Sequence, residues 1–153
     1  MLHITPRTSS NASVRTDLGS VATYVISPKK AVFVFDENKH DPLHKLPCGH
    51  IEPGDAGIIA AAKREVLEET GIMLLDSEIA LIKTQRRDGG IYYPYFCLAH
   101  ISEKELSARK KIGDEDGSPI KTRIFNRAEL PMRLNMEFVP KHIQFIREIE
   151  GIE

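Results

Sequence analysis

The sequence predicts a single domain of α/β (α+β) class, a mixed β-sheet sandwiched between α-helices. Three observations carry this. Short runs rich in β-branched and aromatic residues recur along the chain, as strands do. An amphipathic helical stretch near residues 56–70 divides the early strands from the later ones, and a second closes the chain. No repeat, low-complexity tract or Pro/Ser-rich linker interrupts the 153 residues, a length at which one domain buries a core.

Taken in order, residues 1–18 read as a loosely held lead-in with an edge strand at Leu2–Thr5, and residues 19–153 as the domain. VATYVI (Val21–Ile26) and AVFVFD (Ala31–Asp36) are strands joined by the turn SPKK. The polar loop Glu37–Lys45 leads into LPCGHIEPGD (Leu46–Asp55), a short strand broken by Pro and Gly. A helix then runs from about Ala56 to Thr70, with Asp55 placed to cap its start and Gly71 its end. Glu78–Asp88 and Ile91–Ile101 read as strands around Gly89-Gly90, a hairpin signal. Pro94 marks the second as an edge or bulged strand, and an edge there gives two subunits a route to a homodimer. After the charged loop SEKELSARKKIGDEDGSP come the strand IKTRIF, the turn NRAELP and the closing helix EFVPKHIQFIREIE. That helix turns Phe138, Ile143, Phe145 or Ile146, and Ile149 toward the core.

Composition narrows the function. The chain has 21 Lys and Arg against 22 Asp and Glu, so no global charge draws it to nucleic acid or a membrane surface. No window approaches the roughly 20 apolar residues of a membrane span. The opening MLHITPRTSSNASVRTD is too polar for a secretion signal, and Cys48 and Cys97 are too few for a disulfide framework. A cytoplasmic location is expected, where the glycosylation acceptor Asn11-Ala12-Ser13 goes unused.

The helix stretch REVLEETGI (Arg64–Ile72) places three carboxylates within five residues. At 100° per residue, with Glu65 at zero, Glu69 falls at about 40° and Glu68 at about 300°. The acids therefore share one arc, beside the apolar stripe of Ile59, Ala62 and Val66. A solvated acidic edge is one reading. Like charges on one arc repel, however, and proximity to the core raises the cost. A bound divalent cation reverses the sign of that interaction, and carboxylate oxygens suit Mg²⁺ or Mn²⁺. Arg64 flanks Glu68 and can hold one carboxylate with a forked pair.

GHIEPGD followed by REVLEETGI resembles the signature of the Nudix hydrolases, and the second half matches at Arg64, Glu65, Val66, Glu68, Glu69, Gly71 and Ile72. The resemblance extends over the order of strands and helices from about Gly19 to Ile149. Two positions depart from the pattern. Gly49 fits the leading glycine, but Asp55 stands where the family has Glu, and one extra residue separates it from Arg64. The turn DAG before the regular helix is the expected place for that residue.

The resemblance implies metal-dependent cleavage of a diphosphate bond in a nucleoside diphosphate joined to another group. Glu65, Glu68 and Glu69 then bind Mg²⁺ or Mn²⁺, and Arg64 orients one of them. The backbone carbonyl of Cys48 adds a ligand, and Glu115 or Asp116 in GDEDG is the candidate carboxylate from the loop before the last strand. The general base stays open among these carboxylates. The partner expected is a small nucleoside diphosphate derivative, with no stable nucleic-acid partner and no membrane. Nucleoside triphosphates, ADP-ribose, dinucleoside polyphosphates and sugar nucleotides are all open as substrates. Alternatives are a Nudix-fold module that binds or senses a nucleotide without cleaving it, and an isoprenyl diphosphate isomerase, which needs an added cysteine and glutamate pair.

Other polar residues are weaker candidates. Arg86 and Arg87 at a strand end, and His50 beside the glutamates, are placed for substrate phosphates. The rings of YYPYF (Tyr92–Phe96) can stack on a base or pack in the core. His40, His44, His50 and Cys48 match no zinc spacing. Arg109-Lys110-Lys111 reads as a solvated charge run.

Overall fold

The computed structural model describes residues 18–40, 42–109 and 119–153. Its first strand, β1 (Ser20–Ile26), is buried from Val21 onward, as a strand covered on both faces must be. Side chains alternate across it. Val21 and Val25 pack with one cluster, while Ala22, Tyr24 and Ile26 pack with another on the opposite face. β2 (Lys30–Asp36) and the short β3 (Cys48–His50) follow, then helix α1 (Ile58–Thr70). Next come β4 (Ile79–Lys83), β5 (Arg86–Asp88), β6 (Ile91–Tyr93) and β7 (Tyr95–His100). Helix α2 (Glu103–Ala108), β8 (Ile120–Asn126), α3 (Leu130–Glu137) and α4 (Pro140–Glu150) complete the described chain.

The main sheet runs β4-β7-β1-β2-β8, with β3 added to β1. β1 and β7 are parallel, and the other pairs are antiparallel, so the sheet is mixed as predicted. α1 covers one face through Ala61, Ala62 and Val66. Leu130, Leu134, Phe138, Phe145 and Ile146, from α3, α4 and their junction, cover the other. Tyr24 donates to Glu150 Oε2 at 2.6 Å, and Arg127 Nε donates to the same oxygen at 2.9 Å, tying the end of α4 to the sheet. Among the described residues no helix is long and apolar enough to cross a membrane.

Several elements differ from the sequence reading. Leu46–Asp55 contributes only the three residues of β3 to the sheet. The two long strands after the helix each divide. β5 and β6 form a separate hairpin in which Asp88 faces Ile91 across Gly89 and Gly90. Both glycines have positive φ (54° and 86°), as a tight two-residue turn of this kind requires. Pro94 separates β6 from β7, because proline has no N–H to continue a ladder. β7 lies between β4 and β1, so it is interior; the edges of the main sheet are β4 and β8, and β6 pairs only with β5. NRAELP opens into the helix α3, with Pro131 in its first turn. Inside the predicted charged loop, Ser102 caps α2 by accepting the Glu105 N–H. Arg109 is not solvated: it forks onto Glu78 at 3.0 and 3.1 Å and donates to the Met73 carbonyl at 2.7 Å. The closing helix begins at Pro140, since Val139 and Phe138 are extended. Phe145 and Ile146 are both buried, with Ile143 and Ile149 partly so. Leu2–Thr5, Lys110, Lys111, Glu115 and Asp116 lie outside the described residues.

One core group makes stability depend on pH. His142 is 1% exposed, and its Nδ1 accepts the Leu46 N–H at 3.2 Å. Burial lowers its pKa from 6.5 to about 3. A depressed histidine pKa means the unfolded chain takes up the proton first. Stability is therefore complete above about 6.5 and lost as pH falls toward 3, by about 1.4 kcal/mol per unit. Asn at this position keeps an acceptor near Nδ1 but cannot titrate. Urea unfolding at pH 7 and pH 5 should show His142→Asn losing roughly 2 kcal/mol less than the wild type over that step.

Candidate functional site

α1 meets β3 at the end of the sheet, and the meeting brings the sequence-predicted residues together. The helix starts at Ile58, after Gly57, with no side chain capping it. Asp55 therefore does not cap α1. It closes the preceding turn by accepting the Glu52 N–H at 2.8 Å, and it takes a forked pair from Arg64, whose Nε and NH2 both donate at 2.9 Å. Residues 55–57 all lie ahead of the first helical turn, so the glutamates beyond it keep regular spacing.

The fork of Arg64 thus falls on Asp55 and not on a glutamate. Its remaining donors spread further. NH1 reaches Glu65 at 3.0 Å and Glu68 at 3.3 Å, and NH2 reaches the His50 carbonyl at 3.0 Å. One guanidinium joins the turn, the strand and two of the three acids.

The three glutamates differ in surroundings. The Glu65 residue is 8% exposed, Glu69 is partly buried and Glu68 is exposed. Gly49 lies flat against Glu65: a Cβ built on Gly49 would stand 2.2–2.4 Å from all three carboxyl atoms. Only glycine permits that approach. The neighbouring Cys48 N–H donates to Glu69 Oε1 at 3.1 Å. Consecutive backbone units of β3 therefore meet two carboxylates one helical turn apart.

Burial, and then the charges of Glu68 and Glu52, push the Glu65 carboxyl above the usual range, against the opposing pull of Arg64. Burial and then the charge of Glu65 push Glu69 up to about 7, with the Cys48 amide and Lys45 opposing. Asp55 is held low by its hydrogen bonds from Arg64. Ion pairing has thus left Glu65 and Glu69 poorly compensated. Among the described residues no three His, Cys, Asp or Glu side chains are gathered as a metal cluster. Glu65 and Glu68 lean to Arg64, and Glu69 leans to the strand. The donors nevertheless fit Mg²⁺ or Mn²⁺: all are oxygens, and two crowded carboxylates gain by a cation between them.

Other candidates fall out differently. The His50 side chain is exposed at the end of β3. Arg86 and Arg87 stack across their own hairpin, on Tyr93 at 4.1 Å and Tyr92 at 5.4 Å, and Arg86 also pairs with Asp88. Phe96 is core, and Tyr92, Tyr93 and Tyr95 are partly buried. His44 packs among Phe35, Phe125 and Phe138, away from any zinc arrangement. Burial raises the Cys48 thiol to about 11 and the Cys97 thiol to about 12. Lys45, whose charge acts on Glu69, was not singled out from the sequence. Its place four residues before Gly49 was the only available signal.

The mixed sheet between helices, with the glycine of β3 set over the glutamate helix, is the Nudix class of fold. Residues 17–149 match the family described as NUDIX domain, and the chain belongs to that family. A NUDIX hydrolase from Nitrosomonas europaea superposes with a TM-score of 0.61 at 25% identity, covering 86% of this chain and 87% of its own. MutT, from a study of the Aliivibrio salmonicida and Vibrio cholerae proteins, gives a TM-score of 0.65 at 16% identity, covering 87% and 96%. The mouse protein Nucleoside diphosphate-linked moiety X motif 6 is 37% identical over 71 residues, 46% of this chain. That match spans only 22% of the mouse protein's length.

Proposed function

We propose that the protein is a cytoplasmic pyrophosphohydrolase that cleaves a diphosphate bond in a nucleoside diphosphate derivative, with Mg²⁺ or Mn²⁺ as cofactor. The observation that carries this is the pair of crowded, poorly compensated carboxylates, Glu65 and Glu69, held against β3. Glu65, Glu68 and Glu69 would hold the metal, with the Cys48 carbonyl beside them. When bound, the ion neutralises charge on the phosphate oxygens and lowers the pKa of the attacking water. Gly49 leaves the space that keeps Glu65 under the strand, and the Cys48 amide orients Glu69. Arg64 fixes Glu65 and Glu68 while anchored on Asp55. Domain limits at about residues 19–153 belong to the same reading.

The forked Asp55–Arg64 pair supports hydrolysis over a binding-only module. Despite the shorter acid and the extra residue, Arg64 is still clamped and still touches two glutamates. The test is phosphate or nucleotide release, with and without Mg²⁺, from nucleoside triphosphates, ADP-ribose and dinucleoside polyphosphates. Wild type should turn over at least one substrate only with metal, and Glu69→Gln should lose at least ~100-fold in kcat/KM. Tight nucleotide binding with no turnover by folded wild type would favour the sensing module instead.

A further inference from the structure

The chain entering β3 is fastened residue by residue. His44 exchanges backbone bonds with Glu137 and Val139 at 2.8 and 2.9 Å, and Lys45 exchanges both of its own with Val34 at 2.9 Å. The Pro47 carbonyl accepts the Thr23 N–H at 3.0 Å. Leu46 is the exception, because its N–H goes to a side chain, Nδ1 of His142, at 3.2 Å. Leu46 is fully buried, so no water takes over if that acceptor is lost. Cys48 follows two residues later, with its N–H on Glu69, and then Gly49 against Glu65.

The rest of the ring gives no reason for a histidine. With Nδ1 accepting, the ring proton sits on Nε2, and Nε2 is buried without a partner among the described residues. An orphaned donor in the core costs stability. The ring also meets Phe96 edge-on at 5.9 Å, a contact that a phenyl group makes equally well. What the imidazole adds is the bond to Leu46. Its support is firm: Phe145 and Ile146 seat α4 in the core, and Tyr24 and Arg127 hold Glu150 at the helix's far end.

We infer that His142 is a positioning residue, whose Nδ1 sets where β3 lies against Glu65 and Glu69. By fixing Leu46 it fixes the Cys48 amide that orients Glu69 and the Cys48 carbonyl offered to a metal. Small displacements matter there, since Gly49 and the Glu65 carboxyl leave no room between them for a methyl group. The consequence for metal rests on the hydrolytic reading of Glu65 and Glu69; the placement of β3 does not.

Three variants separate acceptor position from bulk. The oxygen of His142→Asn takes the place of Nδ1, that of His142→Gln reaches the place of Nε2 instead, and His142→Phe fills the volume with no acceptor. Mn²⁺ binding is followed by electron paramagnetic resonance, and the Cys48 and Gly49 amide signals by NMR of the metal-free proteins. The Gln and Phe variants should bind Mn²⁺ about tenfold more weakly and displace both amide signals, while Asn keeps wild-type values. A merely structural role predicts another order, with Gln, closer to histidine in size, nearest to wild type. Results that follow size, or that stay at wild-type values in all three, overturn the inference. So does failure of both Gln and Phe to fold, which would make the bond a requirement of the fold alone. If wild type binds no Mn²⁺, the metal reading fails, and the amide signals decide the placement of β3 by themselves.

Discussion

Arg64→Ala is expected to cost about 2–3 kcal/mol of stability and at least ~100-fold in kcat/KM. The guanidinium makes five donations, to Asp55 twice, Glu65, Glu68 and the His50 carbonyl. Its removal strands the Asp55 side chain, only 8% exposed, and sets Glu65 facing Glu68 with nothing between. An unpaired carboxylate in such surroundings dominates the loss. For a chain of this size the melting temperature should fall by roughly 5–10 °C. Lys at this position restores the charge without the planar fork, so stability should return in part while activity stays low. Melting curves and kcat/KM for the two variants check both points. Stability and activity near wild type in Arg64→Ala would remove the clamp from the site.

Gly49→Ala should separate activity from stability. The atoms nearest the new methyl are those of the Glu65 carboxyl end, a flexible group that can swing aside. The fold should lose no more than about 1 kcal/mol, and less unfolded-chain entropy offsets part of that. Glu65 cannot swing aside and still hold a metal under β3, however. Turnover should fall at least ~100-fold while the melting curve barely moves. Gly54→Ala, in the turn after β3 with open space around it, is the control and should keep both. An active Gly49→Ala would mean that Glu65 works from another position.

Much of this was legible in the sequence because the signals were local. Alternating β-branched residues gave β1 and β2, helical periodicity gave α1, and the REVLEETGI spacing put the acids on one arc. What was hidden depended on contacts between distant segments. Pro94 looks the same in sequence at an edge as at a break between two strands, and only the pairing of β7 with both β4 and β1 separates the two. Asp55 carries a capping residue's signature, yet an arginine two helical turns away outcompetes the helix for it. The gradation from buried Glu65 to exposed Glu68 follows from where β3 crosses the helix. Arg109 reads as a surface charge until Glu78 is brought beside it.

The most direct measurement is Mn²⁺ binding followed by electron paramagnetic resonance, on wild type and Glu69→Gln without nucleotide. The Gln variant should fold at least as stably, since it removes a charge that burial disfavours. Wild type should bind Mn²⁺, and the variant should bind it at least about tenfold more weakly. Equal Mn²⁺ binding by the two, or none by wild type, would contradict the assignment of these glutamates to a metal.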